Sequence, residues 1–591
     1  MTSADGSKYR WDLRKLFPTD EDWQACMERT LANVEKMVAR KGHLADSAAA
    51  LLETANLHEA IYLDLYDLFV YAHSNFDTDM SDPVAKSLYE TAETRSTEIG
   101  EKLSFLAPEL MKHSYEEFVA FCEEEPALKL YDKFARDFFS KKEHILSDEM
   151  EETLVRMNDL GDSFQKAFRD LTVNDANFPT IQDPQGEDFS ACESNYHVAM
   201  GDPDRNFREA YFKGLLGTYG AYINTLTSLY YGSVKNDVFL AKTRRYTSAR
   251  QMEVSRNFVS EEVYDNLIAA VRENTAPLQE YVVYRKEQMG ISDIHFYDLF
   301  VPIVADVEKK YTFEEAKDLV LKATAILGED YTALLQRAFD ERWIDVYPGK
   351  NKRSGAYSTG TFRSYPYVLL NFTGTLDDVF TLAHELGHSI HTYFSCHTQP
   401  FIYSDYSIFC AEVASTTNEL LLSQYLYDHA DTKEEKALLL DKKLNDLRST
   451  FYRQTMFADF ENETHKRVEA GQPLLPKELC ELHGELNRIY YGEDFIVDKE
   501  LTYEWARIPH FYNMFYVYQY ATGIAAATAI TRRILSEGAP AVADYRAFLS
   551  GGSSQHPIEM LRVAGVDMAS PQPVLDTTDD FRDTLKKLKE L

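Results

Sequence analysis

The chain has 591 residues, of which 45% are hydrophobic and 27% charged, so a large buried core and a globular class are expected, with about two to four domains by length. Its 96 acidic against 62 basic residues leave a net charge of -34. That balance lacks the basic footprint nucleic acid requires and disfavours an anionic membrane surface, and it suits either plain solubility or an acidic cavity for cationic and neutral peptides.

The 38 Tyr and 35 Phe bring much ring area to bury, which suits a cavity lined by rings. Cys26, Cys122, Cys192, Cys396, Cys410 and Cys480 form no C-x-x-C pair, which fits a reducing compartment better than a disulfide framework. Met1 to Lys15 shows no apolar stretch, so no signal peptide is expected. No apolar run reaches the roughly 18 residues of a membrane helix. The expectation is a cytoplasmic protein with no membrane and no nucleic-acid partner.

In chain order, three- and four-residue apolar spacing predicts helices over Ser47 to Ser74, Glu149 to Leu171, Asp204 to Tyr231 and Glu434 to Ala470. Phe178 to Gly186 carries two prolines and a glycine and predicts a turn or short hairpin. Asp345 to Gly374 is richer in Gly, Tyr and Ser, and its run Tyr367 to Phe372 predicts a strand. Thr375 with Asp378 predicts a capping box for a helix from about Leu376 to about Phe394. The fold class is therefore mainly α, a large multi-helix protein with a small β-sheet next to the helix that carries the motif below.

That helix contains His384-Glu385-Leu386-Gly387-His388. Residues four apart share a helix face, so His384 and His388 are placed to bind one ion, with Glu385 beside it. Two imidazoles and a carboxylate with an open position suit one zinc ion, and Glu385 suits a general base. Asp405, Glu412 and Glu419 are the nearest downstream acids. Glu412 lies in an apolar segment where an acid needs a partner, and is chosen as third ligand. Glu419 lies two turns further on the same face and is placed to orient a ligating histidine. His391, one turn past His388, reads as a packed core histidine.

The chain strongly resembles peptidase family M3, in its oligoendopeptidase F branch. The resemblance rests on Tyr9-Arg10-Trp11-Asp12-Leu13, Lys352 to Ser358, Gly374 to His388, Glu412-Val413-Ala414-Ser415, and His510-Phe511-Tyr512 leading into Phe515 to Gly523. It runs from about residue 9 to about residue 585. It implies two mostly helical halves around a deep channel that admits short unfolded peptides. It implies a helical region over 1–110, an oligopeptidase F-type helical domain over 111–200 and a zinc metallopeptidase domain over 201–591. It assigns zinc to His384, His388 and Glu412, and the base to Glu385.

The same resemblance makes His510 and a tyrosine donors to the oxyanion, with Tyr518 preferred and Tyr516 retained. Tyr512, Tyr516 and Tyr520 also fit a plain core stripe. Tyr367 to Phe372 sits where similar enzymes offer an edge strand to the substrate backbone. Gly355 and Gly360 flank Tyr357 in a loop that could move over the cleft, so Tyr357, Gly360 and Tyr367 are the substrate-binding expectations. The implied function is an endopeptidase that cuts oligopeptides internally. The alternatives are an exopeptidase with the same zinc chemistry and a non-enzymatic peptide binder, against which an intact Glu385 speaks.

Overall fold

The computed structural model describes residues 6–304 and 309–591. Met1 to Asp5, the start of the stretch that carries the signal-peptide expectation, lie outside the described residues. Helices dominate, and among the described residues the strands total seven, none longer than three residues. No described helix is long and apolar enough to cross a membrane. The chain divides into two compact units, each entered three times: residues 1–145, 309–422 and 533–565 in the first, and 146–308, 423–532 and 566–591 in the second.

In the first unit the helices Asp20–Val38, Ala48–Thr78 and Pro83–Leu103 pack side by side. Ala48–Thr78 matches the first predicted helix and runs four residues beyond Ser74. Strands β4 (Ile344–Asp345), β5 (Tyr357–Thr359) and β6 (Tyr367–Leu369) form a sheet in the order β4-β6-β5. β6 is parallel to β4 and antiparallel to β5, with Ser358 opposite Val368. Tyr367, Val368 and Leu369 are all fully buried, as a continuous apolar run predicts for a strand covered on both faces.

This order corrects one expectation. The strand at Tyr367 is central, not an edge, because both of its sides are paired. The edge nearer the motif helix is β5. Tyr357 correspondingly lies in a strand, not in a mobile loop. Its hydroxyl donates to Asp77 Oδ2 at 2.9 Å, and its ring packs against Trp11 and His73.

In the second unit, β1 (Thr180–Gln182) and β2 (Asp188–Ser190) form the expected hairpin, and β3 (Ile294–His295) pairs with β7 (Phe495–Ile496). The single helix expected over Asp204 to Tyr231 is two, Arg205–Ala221 and Ile223–Thr243, broken at Tyr222. The apolar spacing continues across the break, which is why the pattern hides it. The helix expected over Glu434 to Ala470 is Lys433–Leu447 and Arg453–Glu469, joined by a π-turn at Arg448–Tyr452.

One buried group in this unit makes a pH prediction. Glu461 is fully buried and accepts the backbone N–H of Phe515 at 2.6 Å, and Phe515 holds a left-handed φ of 48°. Burial pushes the Glu461 carboxyl up to about 8, against the pull of His465 and the Phe515 N–H. An unfolded glutamic acid loses its proton near about pH 4.3, so between about pH 4.3 and 8 the folded chain binds the extra proton. Stability should therefore fall as pH rises through that window. Glu461→Gln keeps an acceptor for Phe515 and removes the titration. Its melting temperature should fall less than that of wild type between about pH 5 and 8, and parallel curves would contradict this.

Candidate metal centre

The motif helix spans Leu376–Thr398, starts on the expected Thr375/Asp378 capping box and runs four residues past Phe394. Its apolar face buries Val379, Leu382, Ala383, Leu386 and Ile390, all at 0% exposure. Each of the larger ones contributes roughly 1.5–3 kcal/mol relative to an exposed position. The helix Ile408–His429 packs against it and carries Glu412 and Glu419.

The two helices meet closely at Gly387. A Cβ there would lie 2.6 Å from Ser415 Cα and 2.8 Å from the Ala414 carbonyl oxygen. Gly387 therefore lets the helix bearing Glu412 approach the two histidines. Gly387→Ala should cost about 1–3 kcal/mol by overpacking. A thermal melt indistinguishable from wild type would show that the contact is not tight. Asn418 Nδ2 donates to the Ala383 carbonyl at 3.1 Å, and the Tyr331 hydroxyl donates to Asn418 Oδ1 at 2.9 Å, which fixes the axial register of the two helices.

The side chains of His384, His388 and Glu412 are half-buried, and each offers a ligand atom within 4.8 Å of the others. The two Nε2 atoms are 3.2 Å apart, and Glu412 Oε2 lies 3.6 Å from His384 Nε2 and 3.8 Å from His388 Nε2. A tetrahedral ion with bonds of about 2.0–2.1 Å holds its ligand atoms about 3.3 Å apart. The donor set therefore fits such an ion.

Glu419 Oε1 meets His384 Nδ1 at 2.5 Å. A proton on Nδ1 in that bond leaves the Nε2 lone pair turned toward His388 and Glu412. Burial works against a charge on His384, but the Glu419 bond and the carboxylates of Glu419, Glu385 and Glu412 raise it to about 9. Burial, with the His384 charge second, lowers His388 to about 3. Two facing ring nitrogens beside the carboxyl groups of Glu412, Glu419 and Glu385 form a site that favours a cation.

Glu385 is 7% exposed, and its Oε2 is buried without a hydrogen-bond partner. Burial pushes its carboxyl up to about 7, assisted by the charges of Glu412 and Glu419 and opposed by His384 and by the Ser358 backbone N–H of β5. Ser358 Oγ also bonds Ser389 Oγ at 2.8 Å, so edge strand β5 is tied to the motif helix through a side chain. Sequence reading missed Ser358 and Asn418. A backbone N–H has no residue signature, and an asparagine inside an apolar helix resembles any other polar interruption. His391 is a packed core histidine as expected, 1% exposed and stacked on Tyr406 at 3.6 Å between ring centroids.

The remaining expected residues lie in the second unit. His510 sits in a 3-10 turn, Pro509–Tyr512, and its ring stacks on Tyr516 at 6.1 Å and meets Tyr520 edge-on at 5.9 Å. Tyr516 is half-buried. Tyr518, the preferred donor, is 1% exposed and packs on Tyr264 at 5.0 Å. Its ring is packed in the core, whereas that of Tyr516 is half-buried. The stripe expected at Tyr512, Tyr516 and Tyr520 divides: Tyr512 packs on Phe168 at 4.7 Å, while Tyr516 and Tyr520 contact each other and His510.

A model described as Peptidase family M3 matches residues 198–580, and one described as Oligopeptidase F matches residues 109–178. Oligopeptidase PepF of Bacillus subtilis is 39% identical, with 98% of this chain and 87% of that protein covered. Group B oligopeptidase PepB of Streptococcus agalactiae is 36% identical over 99% of this chain and 97% of its own. The solved structure of oligoendopeptidase-F from Enterococcus faecium superposes with a TM-score of 0.75 at 31% identity, covering 97% of this chain and 99% of its own.

Proposed function

This chain belongs to peptidase family M3, and from that membership we propose that it is a cytoplasmic zinc-dependent endopeptidase that cuts internal bonds of short, unfolded oligopeptides. The observation that carries the proposal is the convergence of His384, His388 and Glu412 beside a buried Glu385 with one unpartnered oxygen. His384 Nε2, His388 Nε2 and Glu412 Oε2 would hold the ion. Zinc matches two imidazoles plus one carboxylate, and when bound it supplies Lewis acidity that polarises a carbonyl and acidifies water.

Glu385 takes a proton from the attacking water at its free Oε2, holds it because burial has raised its proton affinity, and returns it to the leaving amine. Glu419 keeps the His384 ring turned. β5 offers its free edge to the peptide main chain, which gives affinity without reading side chains. His510 and Tyr516 donate to the charge that develops on the carbonyl oxygen, a role carried over from the family resemblance. Sparse cysteines without close pairs support the cytoplasmic placement.

The test is zinc analysis together with hydrolysis of quenched-fluorescent peptides blocked at both ends. Internal cleavage with one zinc per chain is expected. Blocked peptides left intact while free-ended ones are trimmed would replace the endopeptidase with an exopeptidase. Glu419→Gln should weaken zinc binding about 10- to 100-fold in a chelator competition, and unchanged affinity would remove Glu419 from the metal's support.

A further inference from the structure

A cavity of about 790 Å³ lies within the first unit. Thr359 and Gly360, at the C-terminal end of β5, and Thr392 and Cys396 of the motif helix form part of its wall. Tyr62, Leu128, Phe138 and Phe401 are among the apolar side chains that line it, from the helices Ala48–Thr78 and Asp132–Ser140 and the turns Pro126–Tyr131 and Phe401–Tyr403. The carboxylates of Glu59 and Asp405 also line it.

Two features connect this cavity to the metal centre. His388, Thr392 and Cys396 are spaced four apart, so the helix face that bears a ligand histidine continues directly into the cavity wall. The Tyr406 hydroxyl bonds Thr392 Oγ1 at 2.7 Å and lies 3.5 Å from the His388 carbonyl, which fixes that wall to the ligand turn. On the other side, β5 is bonded to the motif helix at Ser358 and Ser389, next to Glu385 and His388, and reaches the cavity within the next two residues, at about 3.3 Å per residue. Gly360 permits this path, because a Cβ there would sit 3.2 Å from Thr392 Cγ2 and 3.3 Å from Pro366 Cα.

We propose that this cavity is a substrate subsite that takes a large apolar side chain, aromatic or branched, of a peptide bound along β5. It rests on the endopeptidase reading above. A side chain leaving a strand paired with β5 points away from the sheet plane at alternate positions, so one residue close to the cut enters the cavity and its neighbours do not. Ring-lined walls reward apolar area, and the carboxylates of Glu59 and Asp405 repel an acidic side chain.

The test uses blocked quenched-fluorescent peptides in which Phe, Gly or Glu is placed at one position at a time. Wild type should prefer Phe over Gly at one position by at least about tenfold in kcat/KM, the scale of a methylene in an apolar pocket, and should reject Glu there. Ala55→Phe, which fills the cavity, and Phe138→Ala, which removes part of its wall, should each lower that Phe-to-Gly ratio at least about fivefold. A folding defect lowers both rates and leaves the ratio in place. A ratio unchanged in both variants, or no positional preference in wild type, overturns the subsite alone. Cleavage of no peptide at all overturns the endopeptidase reading and the subsite with it.

Discussion

Glu385→Gln is expected to keep the metal and the fold while peptide hydrolysis falls about a hundred- to ten-thousand-fold, the usual contribution of a positioned acid–base group. The substitution is nearly isosteric, and Glu385 is not one of the three converging ligand side chains. A glutamine places a neutral amide of the same shape where the carboxyl stands. What disappears is the ability to take and return a proton. Burial pushes the Glu385 carboxyl up, which strengthens its hold on a proton once taken. Metal content per chain and kcat/KM on one peptide, measured on the same preparation, check the prediction. Activity within a few-fold of wild type would remove Glu385 from the chemistry, and loss of metal would instead make it a support of the centre.

The parts of the fold that were legible in the sequence are local ones. The four-residue spacing of His384 and His388 and the three-residue spacing of Thr375 and Asp378 involve one helix only, and the helix starts on that cap. The strand at Tyr367 was legible for the same reason, since a short apolar run bounded by turn residues is a local pattern. Its place in the sheet was not. Whether β6 is central or an edge is decided by Ile344–Asp345 and Tyr357–Thr359, and no periodicity within β6 records that both pair with it. Gly387 read as merely uncharged, because its need for close approach arises from Ser415, far along the chain. The choice between Tyr516 and Tyr518 turns on where the helix Tyr518–Glu537 begins, and two residues of phase exchange a half-buried ring for a core one. The interleaving of the two units, each built from three separated segments, likewise leaves no trace in composition.

His388→Ala should abolish both metal binding and hydrolysis, and the effect should exceed that of any change in the supporting residues. The remaining pair, His384 and Glu412, offers two ligand atoms 3.6 Å apart, and two protein ligands leave an ion mostly to water. Replacing a supporting residue such as Glu419 costs about 10- to 100-fold in affinity. Removing a ligand costs more, because a bond to the ion is lost as well as its orientation. The fold should tolerate the change, since His388 is half-buried and its side-chain polar contacts are those of the centre itself: His384 Nε2 at 3.2 Å and Glu412 Oε2 at 3.8 Å. Removing the imidazole leaves His384 tied to Glu419, so the first helix turn of the motif keeps its anchor. Metal analysis after dialysis, paired with a thermal melt in chelator, separates the two consequences. Wild type should lose stability when metal is stripped, because an ion that binds the folded state alone stabilises it, and H388A should melt identically with and without chelator. Full metal occupancy in H388A would overturn the ligand assignment, and the same melting shift with chelator in both proteins would place the ion elsewhere in the chain.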